Sequence, residues 1–143
     1  IVLKVQELLF PMDIYLIRRH ERLQQALDKL CQLRDELVPL LKPYDPHYLR
    51  MAIEASNMVI CGELFLRAAI TRTESRGSHL REDHPDIDNS NWLKWTILKQ
   101  HNGNISVSVE DIPIETYPMR PGKKKYAHPV ARALESTESN SLN

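Results

Sequence analysis

Apolar positions in the first half of the chain recur at helical spacing. Between Asp13 and Leu37 there is no Gly or Pro, and Leu23, Leu27, Leu30, Leu37 and Leu41 fall at steps of three, four and seven. That spacing predicts a helix with an apolar stripe. Ala26, Leu33 and Leu40 form a second stripe beside it, and Arg34 stands where a heptad would want an apolar residue. A broad buried face is therefore expected, not the narrow seam of a two-stranded coiled coil. Pro39 and Pro43 end the segment by removing backbone donors and restricting the residues before them. Asp45-Pro46 then has the form of a helix start, with an acceptor at the N-cap and Pro at the first helical position. It predicts a second long helix from His47 to about Arg72, apolar around most of its circumference and so central. Small residues at Ala52, Ala55, Ser56 and Gly62 would let neighbouring backbones approach closely. Val2 to Phe10 reads as a shorter helix closed by Pro11. The fold class expected is mainly α: a three-helix antiparallel bundle over residues 1–73, followed by a β-hairpin and an extended C-terminal tail.

After a polar loop at 74–91 the period changes to two. Leu93, Trp95 and Ile97, then Ile105, Val107 and Val109, alternate with polar residues on either side of His101-Asn102-Gly103-Asn104. This predicts a hairpin over 92–117, packed on the bundle as part of one domain, 1–117. A two-residue Asn-Gly turn would pair Leu98 with Val107 and put the two apolar sets on opposite faces. A three-residue loop, His101 to Gly103, pairs Ile97 with Val107 and Trp95 with Val109, and is the expected register because it leaves one face dry. Residues 118–143 read as a tail of Pro, Gly, lysine and Ser/Glu/Asn, disordered at least from 135.

The 143 residues suffice for one domain, and 42% of them are hydrophobic. Nineteen basic and nineteen acidic residues cancel, so no overall field attracts nucleic acid or an anionic membrane. Lys123-Lys124-Lys125 could touch RNA or anionic lipid, but three lysines in a tail are more commonly just solvated. Trp92 and Trp95, at a strand start, read as core and rim residues and not as a base-stacking platform. Cys31 and Cys61 have no CxxC partner and are expected to pack as small apolar residues, which fits a reducing cytoplasm. No apolar run reaches the ~20 residues of a membrane span, and the opening residues lack the form of a signal peptide. The chain reads as an excised piece.

The densest polar stretch is Thr73 to Pro85, with seven ionisable side chains around Gly77. Three kinds of chemistry are open to it. His79, Asp83 and His84 supply metal-ligand types, but Gly77 and Pro85 argue against the helix that would align them. Ser75 or Ser78 beside His79 could form a nucleophilic site, although such partners normally converge from separate elements. The third is a joint held by charge-assisted hydrogen bonds. No phosphate-cradling glycine loop occurs, since Gly stands only at 62, 77, 103 and 122.

The run Arg72-Thr73-Glu74-Ser75-Arg76-Gly77-Ser78-His79-Leu80-Arg81-Glu82-Asp83-His84-Pro85, followed by Asn91-Trp92-Leu93-Lys94-Trp95-Thr96, resembles a pattern of the fumarate reductase and succinate dehydrogenase flavoprotein subunits. L-Aspartate oxidase shares its first half. Ser78 stands where Ala is usual, and Trp95 where His is usual. The resemblance implies a C-terminal domain of a larger FAD-dependent oxidoreductase that passes electrons between a dicarboxylate and an iron–sulfur partner. It implies FAD in the parent and none in this chain, with the family's catalytic and flavin-binding residues in absent domains. Its expected partners are the flavin domain of the same parent and an iron–sulfur subunit, with any membrane association coming through partner subunits. The position of the motif implies an interdomain joint in which Glu74, Ser75, Arg76, Gly77, His79, Arg81 and Asp83 take part. The rival is a freestanding interaction module that docks a partner helix on the stripe containing Leu23 and Leu30. A severed domain should expose apolar surface where its neighbour sat, whereas an evolved monomer should be polar all round.

Overall fold

Three helices share the core of the structure, a computed structural model that describes residues 1–122 and 124–134. They are α1 (Val2–Leu9), α3 (His20–Glu36) and α4 (Pro46–Thr71), with a four-residue helix α2 (Met12–Tyr15) between the first two. Val5, Ile14, Leu23, Ala26, Leu27, Leu30, Leu33, Val59, Leu66 and Ala69 form the buried cluster. Leu23 and Leu30 are 0% exposed, so the stripe expected to dock a partner helix in the rival reading is filled from within. Gly62 lets the helices meet: a Cβ there would stand 2.9 Å from a methyl of Leu30 on α3 and 2.9 Å from one of Leu9 on α1. Arg34 stands in its apolar slot because it reaches Glu63, a buried α4 carboxylate that also accepts from Arg67 at 2.9 Å. Asp45 caps α4 as expected, accepting from the Tyr48 amide at 2.9 Å with Pro46 in the first turn.

The helix expected over 13–37 is interrupted. Ile17–Arg18 (β1) is extended and pairs in parallel with Leu80–Arg81 (β2). The sequence has no breaker here; the side chain of Arg18 sets the break by turning back onto the carbonyls of Ile14 (3.0 Å) and Tyr15 (2.6 Å). Nor is α4 covered on all sides. It buries Ala55, Val59, Gly62, Glu63, Leu66 and Ala69, while Met51, Ile53 and Ile60 remain exposed.

The hairpin consists of β4 (Lys94–His101) and β5 (Asn104–Asp111), and its register is that of the two-residue turn, not of the expected three-residue loop. His101 pairs with Asn104, Leu98 with Val107 and Thr96 with Val109. Asn102 (φ 51°) and Gly103 (φ 80°) both take positive φ, the requirement of a two-residue type I′ turn, whose twist matches the strands it joins. Trp95 and Ile97 therefore face away from Ile105, Val107 and Val109, and Leu98 takes their place.

Part of the expected tail is structured. Lys125–Ala127 (β6) returns to pair antiparallel with Asp86–Asp88 (β3), His128 is buried, and residues 129–134 are helical. Lys124 and Lys125 of the lysine run are thus part of the fold, with Lys125 3.5 Å from Asp86. Lys123, and the disorder expected from Glu135, lie outside the described residues.

Candidate functional site

The polar stretch after α4 folds into a joint, built from the helix end outward. A helix leaves its last carbonyls without intrahelical partners and carries partial negative charge there. Arg81 answers both needs. Its Nη1 donates to the carbonyls of Ala69 (2.9 Å) and Arg72 (3.1 Å), and its Nε and Nη2 grip Asp83 in a bidentate pair at 2.7 and 2.6 Å. Asp83 in turn accepts from the backbone amide of His20 at 3.1 Å, at the amino end of α3. One ion pair thus links the negative end of α4 to the positive end of α3. Burial would raise the Asp83 carboxyl, but its bonds to Arg81 outweigh that and hold it down at about 2.

Glu74 is the second node, with its side chain fully buried. It accepts from Arg72 Nε at 2.9 Å, from Arg76 Nε and Nη2 at 2.7 and 2.9 Å, and from the Asp88 amide at 2.8 Å. Arg72 continues to the carbonyls of Trp92 (2.8 Å) and Lys94 (3.1 Å), and its guanidinium lies 5.2 Å from the Trp92 ring centre. Arg76 continues to Asn89 at 2.7 Å. The carboxylate of Glu74 therefore joins the helix end, the hairpin base and β3. Ser75, also buried, donates to the His84 carbonyl and accepts from the Arg81 amide, both at 2.8 Å.

Gly77, at φ 58°, makes the tight turn in which the Arg76 and His79 backbones exchange hydrogen bonds of 2.8 and 2.9 Å. His79 lies between Arg18, 3.1 Å from Nδ1, and the Arg72 carbonyl, 3.1 Å from Nε2. A guanidinium can only donate, so Nδ1 must accept and Nε2 must carry the proton. Burial first, and then the charges of Arg18 and Arg81, push the imidazole down to about 4, so it is neutral. Arg18 is buried with no carboxylate partner among the described residues; burial and the Arg81 charge lower its pKa.

These contacts bear on each of the three chemistries. Both nitrogens of His79 are engaged, His84 stands 3.9 Å from Asp83, and the described residues contain no group of three or more His, Cys, Asp or Glu that could hold a metal. Where a nucleophilic site would need a carboxylate behind the imidazole there is Arg18, and Ser75 spends its hydroxyl on backbone. The arrangement holds the helix end, the turn and β3 together through side chains already engaged with one another or with backbone. Glu74, Ser75 and Arg81 have no surface left for another domain, whereas Arg76 and Gly77 do. Five members of the network, Arg18, Arg72, Asp88, Asn89 and His128, were not among the joint residues expected from the sequence. His128 lies 3.1 Å from the Gly77 carbonyl through Nε2 and pins the C-terminal segment to the turn. A lone charged residue on an apolar helix face, as at Arg18 and Arg34, was the available signal.

The four glycines are scattered along the chain, α4 opens on the acidic Asp45, and a cavity of about 350 Å³ beside Tyr44, Tyr48 and Met51 is lined mainly by apolar side chains. No helix among the described residues is long and apolar enough to cross a membrane.

The family described as fumarate reductase flavoprotein C-term matches residues 6–126. An L-aspartate oxidase of Acinetobacter baylyi is 33% identical over 101 residues, covering 71% of this chain and 17% of the relative. One chain of the fumarate reductase (CoM/CoB) of Methanothermobacter marburgensis is 37% identical over 92 residues, covering 62% of this chain and 16% of its own length. The FrdA chain of E. coli quinol fumarate reductase superposes with a TM-score of 0.66 at 27% identity, covering 75% of this chain and 20% of FrdA. The chain thus spans a fifth or less of the length of these relatives. By the match over its helices, joint and hairpin, this chain belongs to the fumarate reductase flavoprotein C-terminal family.

Proposed function

We propose that the chain serves an FAD-dependent oxidoreductase that exchanges electrons between a dicarboxylate and an iron–sulfur partner, and that its work there is mechanical. It braces the flavin domain of the same parent and offers a surface to a partner subunit, in the cytoplasm or at a membrane reached through other subunits. α1, α3 and α4 act as an antiparallel three-helix bundle. The joint of Glu74, Ser75, Arg76, Gly77, His79, Arg81 and Asp83 fixes the angle at which the bundle meets the flavin domain. Glu74, Ser75 and Arg81 do so indirectly, by rigidifying the turn that presents Arg76 and Gly77.

One observation carries this reading: apolar surface without a neighbour among the described residues. Leu3, Phe10, Met12 and Ile53 are each more than half exposed, and a furrow lined by Leu9, Phe10, Met58 and Phe65 runs between α1 and α4. A freestanding monomer would have little reason to keep such residues in water. The reading frame is the test. Continuation upstream of Ile1 into a G-x-G-x-x-G dinucleotide-binding sequence supports the proposal. A start within a few codons of Ile1 overturns it, and so would stoichiometric FAD in the purified chain.

A further inference from the structure

The outer edge of β5 is not used by the proposed bracing role. The pair next to a two-residue turn exchanges both backbone hydrogen bonds, and the pattern then alternates along the ribbon. With His101 opposite Asn104, the amides and carbonyls of Asn104, Ser106, Ser108 and Glu110 face β4, and those of Ile105, Val107 and Val109 face outward. Among the described residues the sheet has two strands, and no hydrogen bond from outside the ribbon reaches these outward groups. Long open edges are normally protected by a lysine, a proline or a bulge. From Asn104 to Val109 this strand has none of them, and it pairs with β4 without a bulge.

We propose that two copies of the chain pair antiparallel along β5, about a two-fold axis through Val107, to form a four-stranded sheet in the order β4, β5, β5 of the copy, β4 of the copy. The strand reads nearly the same in both directions. About Val107, Ile105 meets Val109, Ser106 meets Ser108 and Val107 meets itself, while Asn104 meets Glu110 at the ends. Apolar residues meet apolar ones on one face and hydroxyls meet hydroxyls on the other, and no like charges are opposed. The phase also fits, because Ile105, Val107 and Val109, the residues whose backbone groups face outward, are the ones that must exchange hydrogen bonds across this axis. The outer edge of β4 lacks this property: self-pairing about Leu98 would set Ile97 against Lys99 and Trp95 against His101. Val109, 41% exposed, would gain Ile105 of the copy as its neighbour.

Sedimentation of the purified chain over a wide concentration range tests this, with two variants on the exposed face. The wild type should rise from 16.6 kDa to twice that mass as concentration increases. S106E/S108E places glutamates opposite each other at both crossings and should remain monomeric, while staying folded because the carboxylate introduced at position 106 would face Lys99 within its own hairpin. S106E/S108K has one substitution in common but opposes that carboxylate to the lysine introduced at position 108 of the copy, and should restore the dimer. In the dimer the amides of Ile105, Val107 and Val109 should also exchange slowly. A wild type that stays at 16.6 kDa throughout overturns the proposal, as would a dimer equally stable in both variants.

Discussion

Arg81→Met removes the fork that closes α4 while keeping comparable side-chain volume. It deletes the bidentate pair with Asp83 and the donors to the Ala69 and Arg72 carbonyls, leaving Asp83 with only the His20 amide among the bonds described above. The Arg72 carbonyl keeps His79, whereas the Ala69 carbonyl is left without its guanidinium donor. Arg81 is 0% exposed and the Asp83 side chain 24%, so water can compensate at the carboxylate only in part. Breaking one side of a buried pair costs about 3–5 kcal/mol, and the residual hydration of Asp83 favours the lower half of that range. A domain holds only about 5–15 kcal/mol in all, so the midpoint of thermal unfolding should fall by roughly 10–15 °C. Urea and thermal melts read by far-UV dichroism and by the fluorescence of Trp92 and Trp95 would measure it. Arg50→Met is the control, since it breaks only the exposed pair with Glu54 and should cost less than about 1 kcal/mol. An Arg81→Met melt within about 1 kcal/mol of wild type would refute the claim that the guanidinium fastens the helix end.

Two further outcomes are expected. His79 lies at about 4 in the folded chain against an ordinary 6.5, so below pH 6.5 the unfolded chain takes up a proton that the folded chain refuses. Stability should be fully present above that pH and fall by about 2–3 kcal/mol on acidification to pH 4; a His79→Gln variant should lose that slope, and an unchanged profile would show that His79 is not its source. Gly62→Val should destabilise by about 1–3 kcal/mol in urea melts, since the added carbons meet Leu30, which is fully buried and cannot retreat; a neutral result would mean that the helices can part there without loss.

The long elements were legible because their signals are local: Asp45-Pro46 for the start of α4, Leu23 to Leu33 for the face of α3, Asn102-Gly103 for the hairpin. What failed depended on distant partners. The break at Ile17-Arg18 is made by a strand some sixty residues away and by the Arg18 side chain, not by any residue with low helix propensity. The hairpin register differs from the one that a single dry face would require, because the ribbon is only partly covered and turn chemistry decides. Lys125–Ala127 is a three-residue strand without period, recognisable only once Asp86–Asp88 is in place. In the joint, the residue types announced bidentate pairing, but their direction inward, onto carbonyls of this same chain, follows from burial that the sequence does not state.

The Arg72 backbone carbonyl accepts from both Arg81 and His79, while the side chain of the same residue holds Glu74 and the hairpin base. No segment meeting at that residue can open without releasing the others. The end of α4, the turn at Gly77 and the root of the hairpin therefore behave as one cooperative unit, protected or exposed to hydrogen exchange together.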